Sequence, residues 1–254
     1  MRKSLFHIPG SYKLLLYIFL CLNFLPCKIY GQEVSFKQQH TTDYAQVFGS
    51  KYTDAVTFLY RNYWIWDSLE AHQVEPAFAI AIVFPEIIRY SEIKDKIEKG
   101  ALFSLYIYYG ETYANFSVGE FQMKPSFARQ LDEDLTKLPK RKARQYPAIN
   151  SADIQDARKE RVERLDELHW QVRYLALFIH IMDERYKNKQ WTSNAEKLRF
   201  YATAYNYGYT RPYTEIYEVI NKKYFHLGWA TLGERYCYAD ISLNYALKNQ
   251  KINY

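Results

Sequence analysis

The sequence predicts a mainly helical protein, and three observations carry that expectation. Glycine and proline are scarce, at 9 and 8 of 254 residues, which disfavours a turn-rich sheet architecture. Val162, Leu165, Leu168, Val172, Leu175, Ile179 and Met182 recur at steps of three and four, the period of one helix face. Helix punctuation is also well placed: Pro76 and Pro125 suit first turns, and Ser193 with Glu196 forms a capping box.

Taken in order, residues 1–31 are expected to lie outside the fold. Arg2, Lys3 and Lys13 precede LLLYIFLCLNFLP, an apolar stretch of signal-peptide length and short for a membrane span. A cut after Gly31 leaves Gln32 as the mature N-terminus. Lipidation at Cys27 is the less favoured alternative, because Phe24-Leu25-Pro26 lacks the small residue expected before it. Either route exports the protein to the periplasm or the exterior, with no stable membrane span remaining.

Residues 43–72 read as helix, with Phe58, Leu59, Trp64, Ile65 and Leu69 on more than one face. A second helix begins at Pro76 and runs toward Tyr90, with Pro85 expected to bend it or end it nearby. SEIKDKIEKGALFSLYIYYG reads as a third helical piece, although LFSLYIYY alone also suits a strand. The pattern is irregular from Gly110 to Lys124, and Pro125 then opens the short helix PSFARQLDEDL. Residues 136–150 read as a surface connection, and their basic run KLPKRKAR as a solvated loop. The longest helix is expected over roughly 152–188, its first half facing water and its second half forming the buried axis. The helix that begins at Ser193 ends at Gly208, a left-handed stop, and residues 211–247 supply one or two more helices.

Composition narrows the function. Removing residues 1–31, which hold four basic residues and no acid, lowers the formal charge from +6 to +2, so a nucleic-acid partner is not expected. It also removes Cys21 and Cys27, leaving Cys237 alone, without an internal disulfide or a Cys-x-x-Cys zinc site. No metal or nucleotide motif is present, so no cofactor is expected. The 26 tyrosines suit sugar-stacking surfaces, and a compositional habit accounts for them as well.

Three stretches carry chemistry. AIVFPEIIRY sets Glu86 at the end of an apolar run, a setting that raises a carboxyl's pKa by disfavouring its charged form. FSVGEFQMKPSFAR holds Gly119, Glu120, Phe121 and Gln122 before the proline-led helix. YATAYNYG presents Tyr205 and Asn206 just before Gly208. Singly, the first and the third have plain structural explanations: a helix acid whose head reaches water, and ordinary helix capping with core packing.

Together, their order and spacing resemble the lysozyme-like lytic transglycosylases, the soluble lytic murein transglycosylase group related to goose-type lysozyme. The likeness spans about residues 76–215, and AYNYG at 204–208 is its most specific part. WQVRYLALFIHIMDERY resembles the family's central helix. The resemblance implies a lysozyme-like helical domain over 76–215, with N- and C-terminal helical extensions at 32–75 and 216–254. It implies Glu86 as the catalytic acid and then base, and Gln122, Tyr205, Asn206, Phe121 and Glu120 as substrate-binding residues. Tyr205 is the expected hydrogen-bond partner of the glutamate or of the sugar at the cleavage point. The implied substrate is the glycan strand of peptidoglycan, cut between N-acetylmuramic acid and N-acetylglucosamine with formation of a 1,6-anhydro sugar. The further partner expected is a cell-envelope machine.

The chain departs from the family at three points. Ile87 stands where a serine commonly follows the glutamate, Glu120 and Phe121 replace a leucine and a methionine, and the interval from Glu86 to Gly119 is long. Three alternatives stay open: a hydrolytic lysozyme using Glu111 or Glu120 to activate water, a non-catalytic glycan-binding or scaffold protein of a cell-envelope machine, and a plain helical exported protein whose motif matches are accidental.

Overall fold

The computed structural model describes residues 42–93, 99–228 and 233–249. The expected signal peptide and its cleavage site lie outside them. Residues 41–254 group as one compact unit, and the described part is mainly α: twelve helices and one short hairpin. Among the described residues, no helix is long and apolar enough to cross a membrane.

The stretch expected as one helix over 43–72 is three: α1 (Tyr44–Phe48), α2 (Ser50–Arg61) and α3 (Trp64–Ala71). Gly49, at φ +53° and ψ −123°, takes a positive-φ backbone that separates the first two. Asn62 closes α2 by donating its side-chain amide to the Phe58 carbonyl at 2.9 Å. Helix α4 (Pro76–Ile93) begins at its proline and does not end near Pro85. Pro85 takes one donor from the ladder, leaving the Ala81 carbonyl without its usual partner. Burial on every side holds the helix together regardless: Ala79 to Phe84, Ile87 and Ile88 are all buried.

Helix α5 (Lys99–Tyr109) resolves the ambiguous LFSLYIYY as helix, and α6 (Pro125–Asp134) starts at Pro125. The connection that follows contains a 3-10 turn (Leu135–Lys137) and the short α7 (Lys140–Ala143), and it buries Leu138 and Tyr146. The helix expected over 152–188 is two, α8 (Ile154–Asp166) and α9 (Leu168–Arg185), parted by Glu167 in an extended conformation. The halves pack differently: α8 lies on α5 and α6, whereas α9 lies on α3, α4, α6 and α8. Nor does α8 simply face water. Arg161 is buried against Asp132 and the Tyr106 hydroxyl, and Arg164 donates to the Pro147 carbonyl while stacking on Trp170. The apolar half of α9, Tyr174 to Met182, is buried throughout.

Helix α10 (Asn194–Tyr207) is capped by the Ser193 hydroxyl, which accepts from the Glu196 amide. The Glu196 carboxylate reaches back to the Thr192 amide at 2.7 Å. Gly208 ends α10 at φ +120° and ψ +109°, a positive φ outside the left-handed helical well. After α11 (Tyr213–Val219), an antiparallel hairpin of β1 (Lys223–Phe225) and β2 (Tyr236–Cys237) precedes α12 (Tyr238–Asn249). The hairpin was not legible as strand, because two or three residues are too few to show a period of two. Helices α4, α10 and α12 pack on one another, and α2 packs on α4. The stretches expected as terminal extensions thus share one apolar core with residues 76–215.

Candidate functional site

The site is assembled on the buried helices α4 and α10 and on the loop before α6. In that loop Val118 and Met123 bridge, and the turn between them uses two positive φ angles, +70° at Gly119 and +51° at Gln122. Glycine at 119 is a steric requirement: a Cβ there would lie 1.8 Å from the Gln171 amide nitrogen. Gln171, fully buried on α9, accepts from the Phe121 amide at 2.8 Å and donates to Glu120 at 3.1 Å. The central helix therefore holds the turn in shape. Gln122 folds over it, donating its side-chain amide to the Gly119 carbonyl at 2.7 Å.

Glu86, Gln122, Tyr205 and Asn206 line one cavity of about 510 Å³, within the size range of small-molecule sites. Glu86 is only 4% exposed. Burial pushes its carboxyl from the ordinary 4.5 up to about 7, against the opposing pull of Arg89, the Asn206 hydrogen bond and Lys124. Both protonation states are therefore well populated near neutrality. Asn206 donates to Oε1 at 3.1 Å, while Oε2 is buried without a hydrogen-bond partner and lies 3.7 Å from the Arg89 guanidinium. The Gln122 Oε1 is likewise buried and unpartnered. Two residues that line the cavity thus each carry a buried oxygen with no hydrogen-bond partner in the protein, one a carboxyl oxygen and one an amide acceptor.

Tyr205 is not the partner of Glu86. Its hydroxyl donates to the Phe121 carbonyl at 2.7 Å, tying α10 to the turn, and its ring packs edge-on against Phe127 and Phe178. Burial, with the nearby Glu86 charge, raises its pKa well above the ordinary range, so it stays a neutral brace. Asn206 takes the role expected of Tyr205.

Phe121 and Glu120 do not line the cavity. Phe121 is completely buried in the core, and Glu120 turns to Gln171. Glu111 is also elsewhere, held by both nitrogens of an Arg129 fork at 2.8 and 3.1 Å. Among the described residues, Glu86 is the one carboxylate lining this cavity, whereas Arg89, Lys124, Arg129 and Arg211 supply cations.

Sequence reasoning missed Arg89 and Tyr238. Arg89 sits three positions after Glu86, a spacing that places both on one helix face. Tyr238, at the start of α12, donates its hydroxyl to the Ile82 carbonyl at 3.0 Å, one turn before Glu86 in the stretch Pro85 perturbs. No local pattern announces that contact across 156 positions. Among the described residues, no group of three or more His, Cys, Asp or Glu side chains is placed to hold a metal ion. Comparison with protein-family models, with curated proteins and with solved structures finds no significant match for this chain.

Proposed function

We propose that the protein is an exported lytic transglycosylase of lysozyme-like fold, acting on the glycan strands of peptidoglycan. The observation that carries this reading is a solitary buried carboxyl, poised near neutrality, in a cavity with an unpartnered amide acceptor and no second carboxylate among the described residues. Convergence of residues 86, 122, 205 and 206, scattered along the sequence, supports the resemblance seen in the three motifs.

Protonated Glu86 gives its proton to the glycosidic oxygen as the C1–O bond breaks. The resulting carboxylate is steadied by the Asn206 amide and by Arg89. It then takes the proton of the C6 hydroxyl on the same muramic residue, and O6 closes onto C1 to give the 1,6-anhydro sugar. No water is consumed, and Glu86 ends the cycle protonated. A hydrolase working by the two-carboxylate route needs a second acid to activate water or act as nucleophile. Glu111 and Glu120 are each engaged away from the cavity.

Purified peptidoglycan digested by wild type and by Glu86→Gln, with products read by mass spectrometry, tests the proposal. Anhydro-ended fragments are expected from the wild type, with release reduced at least about a hundredfold in the variant, the contribution typical of a general acid. Reducing ends would mean hydrolysis. Binding to sacculi without soluble fragments would mean a non-catalytic glycan-binding protein.

A further inference from the structure

A second cavity, of about 590 Å³, is not used by this mechanism, yet it abuts the first, because Arg129 lines both. One wall is Tyr109, 60% exposed at the end of α5, and Ile154, exposed at the start of α8, also lines the cavity. Among the described residues six tyrosines are strongly exposed; of these Tyr109 lines the cavity, and the rings of Tyr108 and Tyr113 lie against it. The Tyr109 and Tyr113 rings lie 5.5 Å apart.

The backbone is built for this display. Gly110, at φ +80°, turns the chain directly after Tyr109, and a Cβ there would meet the Arg158 guanidinium at 2.7 Å. Arg158 caps the helix end by donating to the Ile107 and Tyr108 carbonyls at 3.2 and 3.3 Å. Arg129 holds Glu111 and Glu133, Arg161 holds Asp132, and with Arg158 the three cations of the cavity balance its three carboxylates. No excess of either sign favours an ionic ligand. An exposed phenol beside fixed, planar polar groups suits a neutral ring that is apolar on one side and hydroxylated at its edge.

We infer that this second cavity is a sugar-binding site, seating a pyranose of the strand that passes through the Glu86 cavity, with its apolar face on Tyr109. The inference rests on the glycan reading of the first cavity and adds a second holding point along the same polymer, which Arg129 bridges. The end of α5 and the turn at Gly110 then serve to retain long strands.

The test uses chitobiose, chitotetraose and chitohexaose, titrated by calorimetry into the Glu86→Gln protein so that nothing is cleaved. Affinity is expected to rise with chain length. Adding Tyr109→Ala should weaken chitohexaose by about threefold to tenfold, the worth of one aromatic contact, and leave chitobiose unchanged, whereas Tyr109→Phe should retain the gain. Tyr109 is exposed, and a matching thermal melt verifies that the variant folds. If chitohexaose binds no tighter than chitobiose, or Tyr109→Ala leaves it untouched, the second site is wrong and the glycan reading of the first stands. If none of the three oligomers binds, both fall.

Discussion

Replacing Glu86 by glutamine should stabilise the protein, and do so only at the pH where the native carboxyl is being forced to ionise. The unfolded chain loses this proton near 4.5, whereas the native site keeps it until about 7. Between those values the native state binds more protons than the unfolded state, so this group's contribution to stability falls as pH rises. Below the window both states are protonated and nothing is lost. Above it the full cost is present: raising a carboxyl from 4.5 to about 7 corresponds to about 3 kcal/mol. Glutamine keeps the shape and has no proton to lose. The stability difference between Glu86→Gln and wild type should therefore be small in mild acid, grow through the window, and level off about 3 kcal/mol in favour of the variant. Urea unfolding followed by tryptophan fluorescence, run on both proteins across the pH range, measures it, because every other titrating group cancels in the comparison. A difference that stays flat with pH would show that the carboxyl is solvated and the proton-donor argument unfounded. The same burial is what the chemistry requires, so the stability given up and the proton retained near neutral pH have one cause.

The remaining expectations concern the frame around the acid. Arg89→Met removes a cation that pulls the Glu86 pKa down, so the alkaline limb of the kcat/KM profile should move to higher pH; an unmoved or lowered limb would contradict the placement. Gly119→Ala places a Cβ against the Gln171 side chain at a positive φ and should lower stability by about 3 kcal/mol, read as a drop in Tm. Combined with Gln171→Ala, its effect should fall short of the sum of the two, since the clash is gone; strict additivity would rule the contact out. Tyr205→Phe leaves the buried Phe121 carbonyl without its donor and should cost about 1–3 kcal/mol in denaturant unfolding.

Much of the architecture was legible because it follows from local rules. Pro76 and Pro125 begin helices, the Ser193 hydroxyl caps one, and Gly208 ends it, each for a reason confined to one turn of chain. The break at Glu167 was not legible. Apolar spacing reports which face of a helix is buried, and that spacing runs unbroken through Val162, Leu165, Leu168 and Val172 while the backbone between them changes direction. No glycine or proline marks the spot; the different partners of α8 and α9 supply the reason, and they lie far off in sequence.

The same division runs through the candidate site. Gly119 and Gln122 were recognisable, but their immediate neighbours were not safely read as cavity residues. A turn with two positive φ angles sends successive side chains in unrelated directions, so Phe121 enters the core, Glu120 meets Gln171, and Gln122 alone faces the cavity. Adjacency in sequence is thus poor guidance wherever the backbone leaves the regular wells. The acid itself shows the converse. Its apolar run marks burial, which is a property of the segment, but its charge state is set by that desolvation acting against Arg89 one turn away, Asn206 from α10 and Lys124 from the loop. Those three oppose the desolvation that raises the pKa, which leaves the carboxyl near neutrality. A buried carboxyl without such opposing groups would be held in its neutral form more strongly and would reclaim a proton too readily to part with it. The position of the site in the chain is therefore a matter of hydrophobic pattern, and its chemistry a matter of tertiary balance.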